Sequence, residues 1–258
     1  MTKKQRNTIY NCIPIIVIIT LLIVWQIASI AEWIPSYMLP APSDVVLAFI
    51  AEFPLLMEHA KVTLLEALLG LIFGVLLGFL CAAFMDACKP IQKALYPILI
   101  LTQTVPPVAI APLLILWFSY GIAPKVILVV LVSFFPIAIG LLEGFQSVDV
   151  DTIRLMRSMN ANPWQIFWHV KFPHALGEFF SGLKIAVSYS VVGAVIAEWL
   201  GGYSGLGVYM TRVKKSYDYD KMFAVIFLIS AISLALMGLV KLAQYKLMPW
   251  NRCKNEDN

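Results

Sequence analysis

Long apolar runs divide this chain, and they limit its fold more than any other feature of the sequence. Six runs of about 20 residues or more carry few charges, at about 13–31, 62–84, 91–118, 126–145, 174–200 and 222–245. A helix of about 20 apolar residues crosses the hydrocarbon core of a bilayer. The composition agrees, with 60% hydrophobic and 13% charged residues over 258 positions. We therefore predict an all-α polytopic membrane protein with six transmembrane helices and one domain, residues 1–258.

The first apolar run permits two interpretations. Residues 13–31 are long enough to form a span, and basic residues precede them. A cleavable signal peptide is the alternative, since Ser-Ile-Ala at 29–31 resembles a cleavage site. The run is long for the apolar part of a signal peptide, so we favour a retained span. Residues 32–53 are Pro-rich and then amphipathic, and we expect them to lie along the extracytoplasmic surface of the membrane that the spans cross.

The distribution of basic residues predicts the orientation. With six spans, the side that holds both termini carries Lys3, Lys4, Arg6, Lys89, Lys93, Arg154, Arg157, Lys171, Lys241, Lys246, Arg252 and Lys254. The other side carries Lys61, Lys125, Arg212, Lys214, Lys215 and Lys221. Because cytoplasmic loops are enriched in Lys and Arg, we place both termini in the cytoplasm. The net charge of +4 comes from these clusters, which indicate a lipid bilayer and not nucleic acid as the partner.

Small residues recur at helical spacing in two of the spans. They are Gly70, Gly74 and Gly78 in the second span and Gly182, Ala186 and Gly193 in the fifth. Small residues on one helix face let another helix approach closely where lipid supplies no hydrophobic drive. The two stripes predict tight helix packing.

The third span is rich in proline, and polar residues lie beside the central pair Pro106-Pro107. An interior proline removes a backbone hydrogen bond, and the freed carbonyl must find a partner in protein or in a water-filled cavity. A broken helix lining a solute pathway is one interpretation; a kinked helix in which Gln103 ties two spans together is the other. The candidate pathway residues are Gln103, Thr104, Pro106, Ser133, Tyr189 and Glu198.

A polar stretch, residues 147–173, separates the fourth and fifth spans. Asp149 or Asp151 is suited to cap a helix that begins near Thr152. Asn160 stands where a residue of positive φ is expected, and Asn162-Pro163 begins a second helix with Gln165 at its third position. We expect Pro173 to interrupt that second helix. The pattern predicts a helix, a sharp turn and another helix.

Residues 147–173 resemble the cytoplasmic coupling loop in permease subunits of ATP-binding cassette (ABC) importers, and we name them the coupling segment. The matching positions are Arg157, Ala161, Trp164, Gln165, Phe167, Val170 and Pro173. The chain departs from the family pattern at Arg154-Leu155-Met156, where the family has an acidic residue and two alanines, and at Asn160, where it has glycine. The phrases LPAPSDV, SGLKIAVSYS and IAEWLGG are similar to the sulfonate, nitrate, taurine and thiamine-precursor branch of these permeases.

The resemblance implies a type I ABC importer permease fold and a set of partners. A second copy of the permease would form a homodimer, two ATPase subunits would bind ATP and Mg, and an extracellular solute-binding protein would deliver the cargo. The residues expected to contact the ATPase are Asp151, Arg154, Met156, Arg157, Asn160, Ala161, Trp164, Phe167 and Pro173. The sequence from Ile196 onward is most similar to that of permeases for thiamine precursors. We therefore expect an aminopyrimidine as the cargo, with a sulfonate, taurine or nitrate as alternatives.

The sequence carries no motif for catalysis or metal binding. His59, His169 and His174 lack metal-ligand spacing, and there is no Walker-type glycine loop, so we expect a chain that is not an enzyme and binds no cofactor. The cysteines have no C-x-x-C spacing and are expected to be free thiols in a reducing compartment: Cys12, Cys81, Cys88 and Cys253.

Two other classes of protein remain open from the sequence. An ion-coupled secondary transporter or channel would need carboxylates near the middle of the membrane, whereas Glu66, Glu143 and Glu198 all lie near the ends of predicted spans. A membrane-embedded enzyme would need a cluster of Ser, His or Asp residues, and none is evident.

Overall fold

The computed structural model describes residues 3–31, 33, 35 and 38–249, with side chains from residue 13 onward. Within these residues, every regular element is helical, which confirms the predicted fold class. The α-helices are α1 Lys3–Ile30, α2 Pro42–Ala51, α3 Phe53–Ala87, α4 Lys89–Thr104, α5 Pro107–Phe118, α6 Ile122–Gln146, α7 Val150–Ser158, α8 Pro163–Ile166, α9 Phe172–Gly201, α10 Leu206–Lys215 and α11 Tyr219–Leu247. A π-helical turn, Phe167–Lys171, joins α8 to α9.

Five helices of the described chain are long and apolar enough to cross a membrane: α1, α3, α6, the continuous helix Pro163–Gly201 and α11. A sixth span is possible only if α4 and α5 are taken together, because the chain bends by 98° between them. The break falls at Val105–Pro106. Pro106 and Pro107 have no backbone N–H, so neither can donate a hydrogen bond that would continue α4. The broken helix that the prolines predict is therefore present.

The start of the second span differs from the prediction. The second span belongs to a helix that begins at Phe53, with Pro54 in its first turn, where a proline loses no hydrogen bond. Residues 201–220, which follow the fifth predicted span, contain α10. Cys81 and Cys88 are free thiols. The side chains of Lys3, Lys4, Arg6 and Cys12, and the whole of Trp250, Arg252, Cys253 and Lys254, lie outside the described part.

The contacts divide the chain into two compact units. One unit comprises the described residues up to Glu58 together with Tyr209–Leu228, and the other comprises His59–Val208 with the described residues from Ile229 onward. The prediction of a single domain remains a prediction.

In the larger unit, α6 packs against α9 over most of its length, and its buried residues form the core. Pro136 lies inside α6, and its carbonyl faces Gly182 of α9 so closely that a Cβ at Gly182 would collide with it. Ala186, one turn further along α9, is fully buried. Gly193 lies against Val132 of α6. The stripe of α9 therefore brings its backbone directly onto α6.

The stripe of α3 packs on another part of the same helix. A Cβ added at Gly70 would overlap the side chain of Val129, and one at Gly74 would overlap Ser133 Oγ. A Cβ at Gly78 would come within 2.9 Å of the carbonyl oxygen of Phe134. Because α3 and α9 both approach α6 through glycines, α6 is the central helix of this unit.

In the smaller unit, α1 is joined to the loop before α2. Trp25 donates its Nε1–H to the carbonyl of Pro40 at 3.1 Å, and its ring lies beside Phe223 and Phe227 of α11. Glu52 and Lys221 form an ion pair of 2.8 Å. Burial raises the pKa of Tyr209 to about 12, and the negative charge of Glu52 acts in the same direction.

Candidate functional site

The coupling segment is shaped by hydrogen bonds between neighbours in the sequence. Asp149 caps α7, because its side chain accepts the N–H of Asp151 at 3.1 Å. At the other end of α7, Asn160 has a φ of 61°, the left-handed conformation that its position in the sequence predicts. The N–H of Asn160 donates to the carbonyl of Arg157, and the N–H of Ala161 donates to that of Met156. This pair of bonds is a Schellman motif, and it turns the chain sharply.

The second helix of the segment begins with a complete capping box. Gln165 N–H donates to Asn162 Oδ1 at 2.7 Å, and Asn162 N–H donates to Gln165 Oε1 at 2.9 Å. Pro163 takes the first helical position, as predicted. These bonds fix the elbow between α7 and α8 without help from distant residues.

The helix that starts at Pro163 continues through Pro173, so the predicted interruption is wrong. The π turn at Phe167–Lys171 lies just before this proline, and Phe172 N–H donates to Phe167 O five residues back. A proline ring crowds the carbonyl four residues earlier, here that of His169, and a π turn widens the helix at that point. One helical path of 39 residues, Pro163–Gly201, results.

The coupling segment exposes both its charges and its apolar side chains. No residue of α7 is buried. The ion pair Asp151–Arg154 spans 2.9 Å, with the side chains 79% and 73% exposed. Trp164 is 68% exposed, and Met159 and Leu155 are comparably open. Exposed apolar side chains beside polar ones are typical of a surface that binds another protein.

A groove of about 500 Å³ runs beside the segment, between it and the end of α3. Arg157, Ala161 and Trp164 line it, together with the ion pair that Lys171 forms with Asp86 at 2.7 Å. Phe167 also lines it and packs against Phe79 and Phe145, so it joins the segment to the core. Two other predicted coupling residues, Met156 and Pro173, are half-buried.

A second candidate site is a cavity of about 330 Å³ at the break between α4 and α5. Two predicted pathway residues line it, Gln103 of α4 and Tyr189 of α9. Thr102 is the other polar residue of the lining, and the remaining lining residues are apolar or glycine and come from α5, α6, α9 and the break itself. Gln103 makes no hydrogen bond to any described residue, so its amide is available to a solute. No ionisable side chain other than the Tyr189 phenol belongs to this lining.

The other predicted pathway residues do not line this cavity. Thr104 donates to the carbonyl of Leu101 within α4, and Pro106 occupies the break. Ser133 is fully buried, donates to Val129 O at 2.7 Å and contacts α3 at Gly74. Glu198 is 1% exposed and accepts hydrogen bonds from Thr63 and Gly207. Their assignment to a solute pathway stays a prediction.

Sequence reasoning missed a buried polar cluster in the larger unit, which we name the glutamate cluster: His59, Thr63, Glu66, Lys125, Glu198 and residues 205–207. Glu66 lies inside α3, which begins at Phe53, before the predicted start of the second span at residue 62. Lys125, which the sequence analysis counts among the basic residues on the side opposite the termini, lies in α6 and pairs with Glu66 at 2.6 Å. Because Lys125 is buried and paired, it no longer counts among the loop charges that indicate orientation. The spacing of these residues offers no local signal, since 59 positions separate the pair.

Glycines allow the chain after α9 to fold over Glu198. A Cβ at Gly205 would collide with the carboxyl group of Glu198, and Gly205 has a φ of 122°, which favours glycine. A Cβ at Gly207 would lie 3.0 Å from Glu198 Oε2, and Gly207 N–H donates to that oxygen at 2.6 Å. The carboxylate therefore sits at the first turn of α10, where free N–H groups favour an anion.

Comparisons with known proteins agree with this architecture. The profile of the family described as binding-protein-dependent transport system inner membrane component matches residues 74–248. A probable ABC transporter permease protein of Haemophilus influenzae is 37% identical over 86% of this chain and 91% of its own length. A formylaminopyrimidine transport permease protein of Halalkalibacterium halodurans is 33% identical over 93% of this chain and 96% of its own.

A solved structure supports the fold independently of close sequence similarity. An inward-facing form of the MetNI methionine ABC transporter contains a chain with a TM-score of 0.66 and 18% identity, over 77% of this chain and 97% of that one. The sequence resemblance and the helical architecture therefore lead to the same conclusion. The protein is a multi-pass membrane protein that belongs to the binding-protein-dependent transport system inner membrane components, the permease subunits of ABC importers.

Proposed function

We propose that this permease subunit carries an uncharged aminopyrimidine of the thiamine-precursor kind across the membrane. The observation that supports this cargo is the chemistry of the cavity at the break between α4 and α5. Its lining holds no Lys, Arg, His, Asp or Glu, only the polar groups of Thr102, Gln103 and Tyr189 among apolar side chains. Its volume of about 330 Å³ falls at the lower end of the range for small-ligand sites, about 300–1,000 Å³.

An uncharged heteroaromatic solute matches such a lining. The rings of Tyr189 and Phe135 offer flat surfaces for stacking, and the Gln103 amide both donates and accepts hydrogen bonds. A sulfonate or nitrate has no cationic partner in this lining, and an unpaired anion in an apolar site is costly. The relative from Halalkalibacterium halodurans, named for formylaminopyrimidine transport, supports the same class of cargo.

The cargo is tested by direct binding to the permease in nanodiscs together with its ATPase subunits. Titration calorimetry without the solute-binding protein isolates the contribution of the permease. We expect a hydroxymethyl-aminopyrimidine to bind more tightly than taurine, and Gln103→Leu to weaken that binding at least tenfold. Ser181→Ala, on the exposed face of α9 outside the cavity, is the control. Tighter binding of taurine or nitrate would overturn the proposed cargo.

We infer that the coupling segment docks on an ATPase subunit. The family works with such subunits and with a binding protein. Support for this docking site comes from the exposed Trp164, Leu155 and Met159, and from the caps that hold the elbow rigid without a partner. ATP and Mg would bind to that subunit and not to this chain.

We further propose that two copies of the chain pair as a homodimer and that both termini face the cytoplasm. The predicted cytoplasmic side carries 12 basic residues and the other side 6, or 5 without the buried Lys125, and this excess supports the orientation. Labelling of a single engineered cysteine in place of Trp164, in intact cells and in inverted vesicles, tests it. Reaction in intact cells with a reagent that cannot cross the membrane would contradict it.

A further inference from the structure

One buried oxygen atom has no partner within the described chain. Glu66 is 2% exposed, and its Oε1 accepts a hydrogen bond from Lys125 Nζ at 2.6 Å. Its Oε2 is also buried, and no described residue donates to it. An unsatisfied carboxylate oxygen in the interior is costly, so its partner must be accounted for.

The second carboxyl group of the cluster already has two donors. Gly207 N–H donates to Glu198 Oε2 at 2.6 Å, and Thr63 Oγ–H donates to Glu198 Oε1 at 2.8 Å. Thr63 Oγ also accepts the N–H of Leu206 at 2.8 Å. Its hydrogen has two possible acceptors, and Glu198 Oε1 at 2.8 Å is nearer than the carbonyl oxygen of His59 at 3.3 Å. A carboxyl group that accepts on both oxygens is best described as ionised.

Glu66 lies three residues beyond Thr63 on α3, so it shares the helix face on which Thr63 bonds to Glu198, and both carboxyl groups belong to one buried site. Two ionised carboxylates beside the single ammonium of Lys125 would leave one uncompensated negative charge in a buried site. The remaining titratable group of the cluster does not supply a balancing cation. His59 Nδ1 accepts the N–H of Gly205 at 3.0 Å, so that nitrogen is unprotonated.

We propose that the glutamate cluster is a proton-binding site, in which Glu66 Oε2 carries a proton and donates it to the carboxylate of Glu198. The proton supplies the missing partner of Glu66 and leaves one ammonium facing one carboxylate. It also joins α3 to α9 next to the chain that folds over Glu198. The site lies outside the cavity and the coupling segment, so it does not depend on the proposed cargo or docking.

A metal ion explains the cluster less well. No group of three metal-ligating side chains occurs in the described residues. The ammonium of Lys125 already occupies one oxygen of Glu66, and Thr63 and Gly207 occupy both oxygens of Glu198. A proton needs only the one free oxygen that remains.

The proton is tested by infrared spectroscopy of the permease in nanodiscs at neutral pH. A protonated carboxyl group has a C=O stretching band that shifts in D₂O, and we expect this band in the wild type. Glu66→Gln should remove it, because the amide replaces the proton as donor to Glu198 and still accepts from Lys125. Glu143→Gln, at an exposed position of α6, should retain it.

Thermal unfolding distinguishes the roles of Glu66 and Glu198. Glu66→Gln should keep a melting temperature close to that of the wild type. Glu198→Gln should lower it by several degrees or prevent folding, because Thr63 and Gly207 donate to different oxygens of Glu198 and the amide presents an NH₂ group to one of them. A wild type without the band, a band that survives in Glu66→Gln, or a greater loss of stability in Glu66→Gln than in Glu198→Gln would each overturn the proposal.

Discussion

Two ion pairs of the larger unit, Asp151–Arg154 in the coupling segment and Glu66–Lys125 in the glutamate cluster, have similar lengths and opposite surroundings. The first spans 2.9 Å with both side chains largely in solvent, and the second spans 2.6 Å with both almost fully buried. The first joins residues three apart on one helix, and the second joins two helices. The coupling segment is thus stabilised locally and remains free to bind a partner, while the cluster depends on the fold of its own chain.

The largest expected effect comes from breaking the buried pair. Lys125→Met leaves the carboxyl groups of the cluster without their cation, and we expect a loss of about 3–5 kcal/mol in the free energy of unfolding. Arg154→Met removes the exposed pair and should cost less than about 1 kcal/mol. Folded yield and thermal unfolding in detergent measure both. Equal losses in the two variants would show that burial does not separate the pairs.

Gly205→Ala tests the chain that folds over Glu198. The added methyl group would collide with the Glu198 carboxyl group in a backbone conformation that disfavours it, so we expect a loss of about 2–3 kcal/mol in unfolding free energy. Gly238→Ala in α11 is the matched control, because nothing lies within 4 Å of a Cβ there and alanine favours a helix. A stable Gly205→Ala variant would argue against the tight fold around Glu198.

Trp164→Ala tests the exposed surface of the coupling segment. The side chain is largely in solvent, so the stability of the isolated permease should change little. If it anchors the ATPase subunit, affinity should fall about 30-fold, equivalent to about 2 kcal/mol. Trp117→Ala, which removes an equally exposed tryptophan from α5, should leave that affinity unchanged. Biolayer interferometry with the purified ATPase measures both, and similar affinities for both variants would place the docking surface elsewhere.

The smallest expected effect concerns the turn of the coupling segment. Asn160→Ala places alanine at a φ of 61°, which costs about 1–2 kcal/mol, whereas Asn160→Gly relieves the strain. We expect ATP-dependent uptake into proteoliposomes to fall several-fold for the alanine variant and to persist for the glycine variant. Full uptake by both would mean that the shape of the turn is not needed for coupling.

The coupling segment could be predicted from the sequence because its bonds are local. Asp149, Asn160 and the Asn162–Gln165 box each act within five residues, and such caps follow rules that a single sequence reveals. The effect of Pro173 was predicted wrongly, because the π turn before it absorbs the crowding that would otherwise end the helix.

The glutamate cluster could not be predicted, because its bonds join residues far apart in the chain. Thr63 and Glu198 are 135 positions apart, and no periodicity relates them. The sequence offered one indirect signal, the glycines at 205 and 207 after Glu198, whose close approach to a carboxyl group becomes evident only in three dimensions. The residues that line the cavity could not be predicted for the same reason. Gln103 of α4 and Tyr189 of α9 are far apart in the sequence, and both line the cavity at the bend between α4 and α5.

The unbroken helical path from Pro163 to Gly201 has a mechanical consequence. Trp164 lies near its first residue and Glu198 near its last, so roughly 50 Å of one helical path separates the exposed indole from the buried acid. A tilt of about 5° around the midpoint moves both extremities by about 2 Å in opposite directions. A tilt that passes the π turn at Phe167–Lys171 would therefore displace Glu198 relative to its hydrogen-bond donors Thr63 and Gly207.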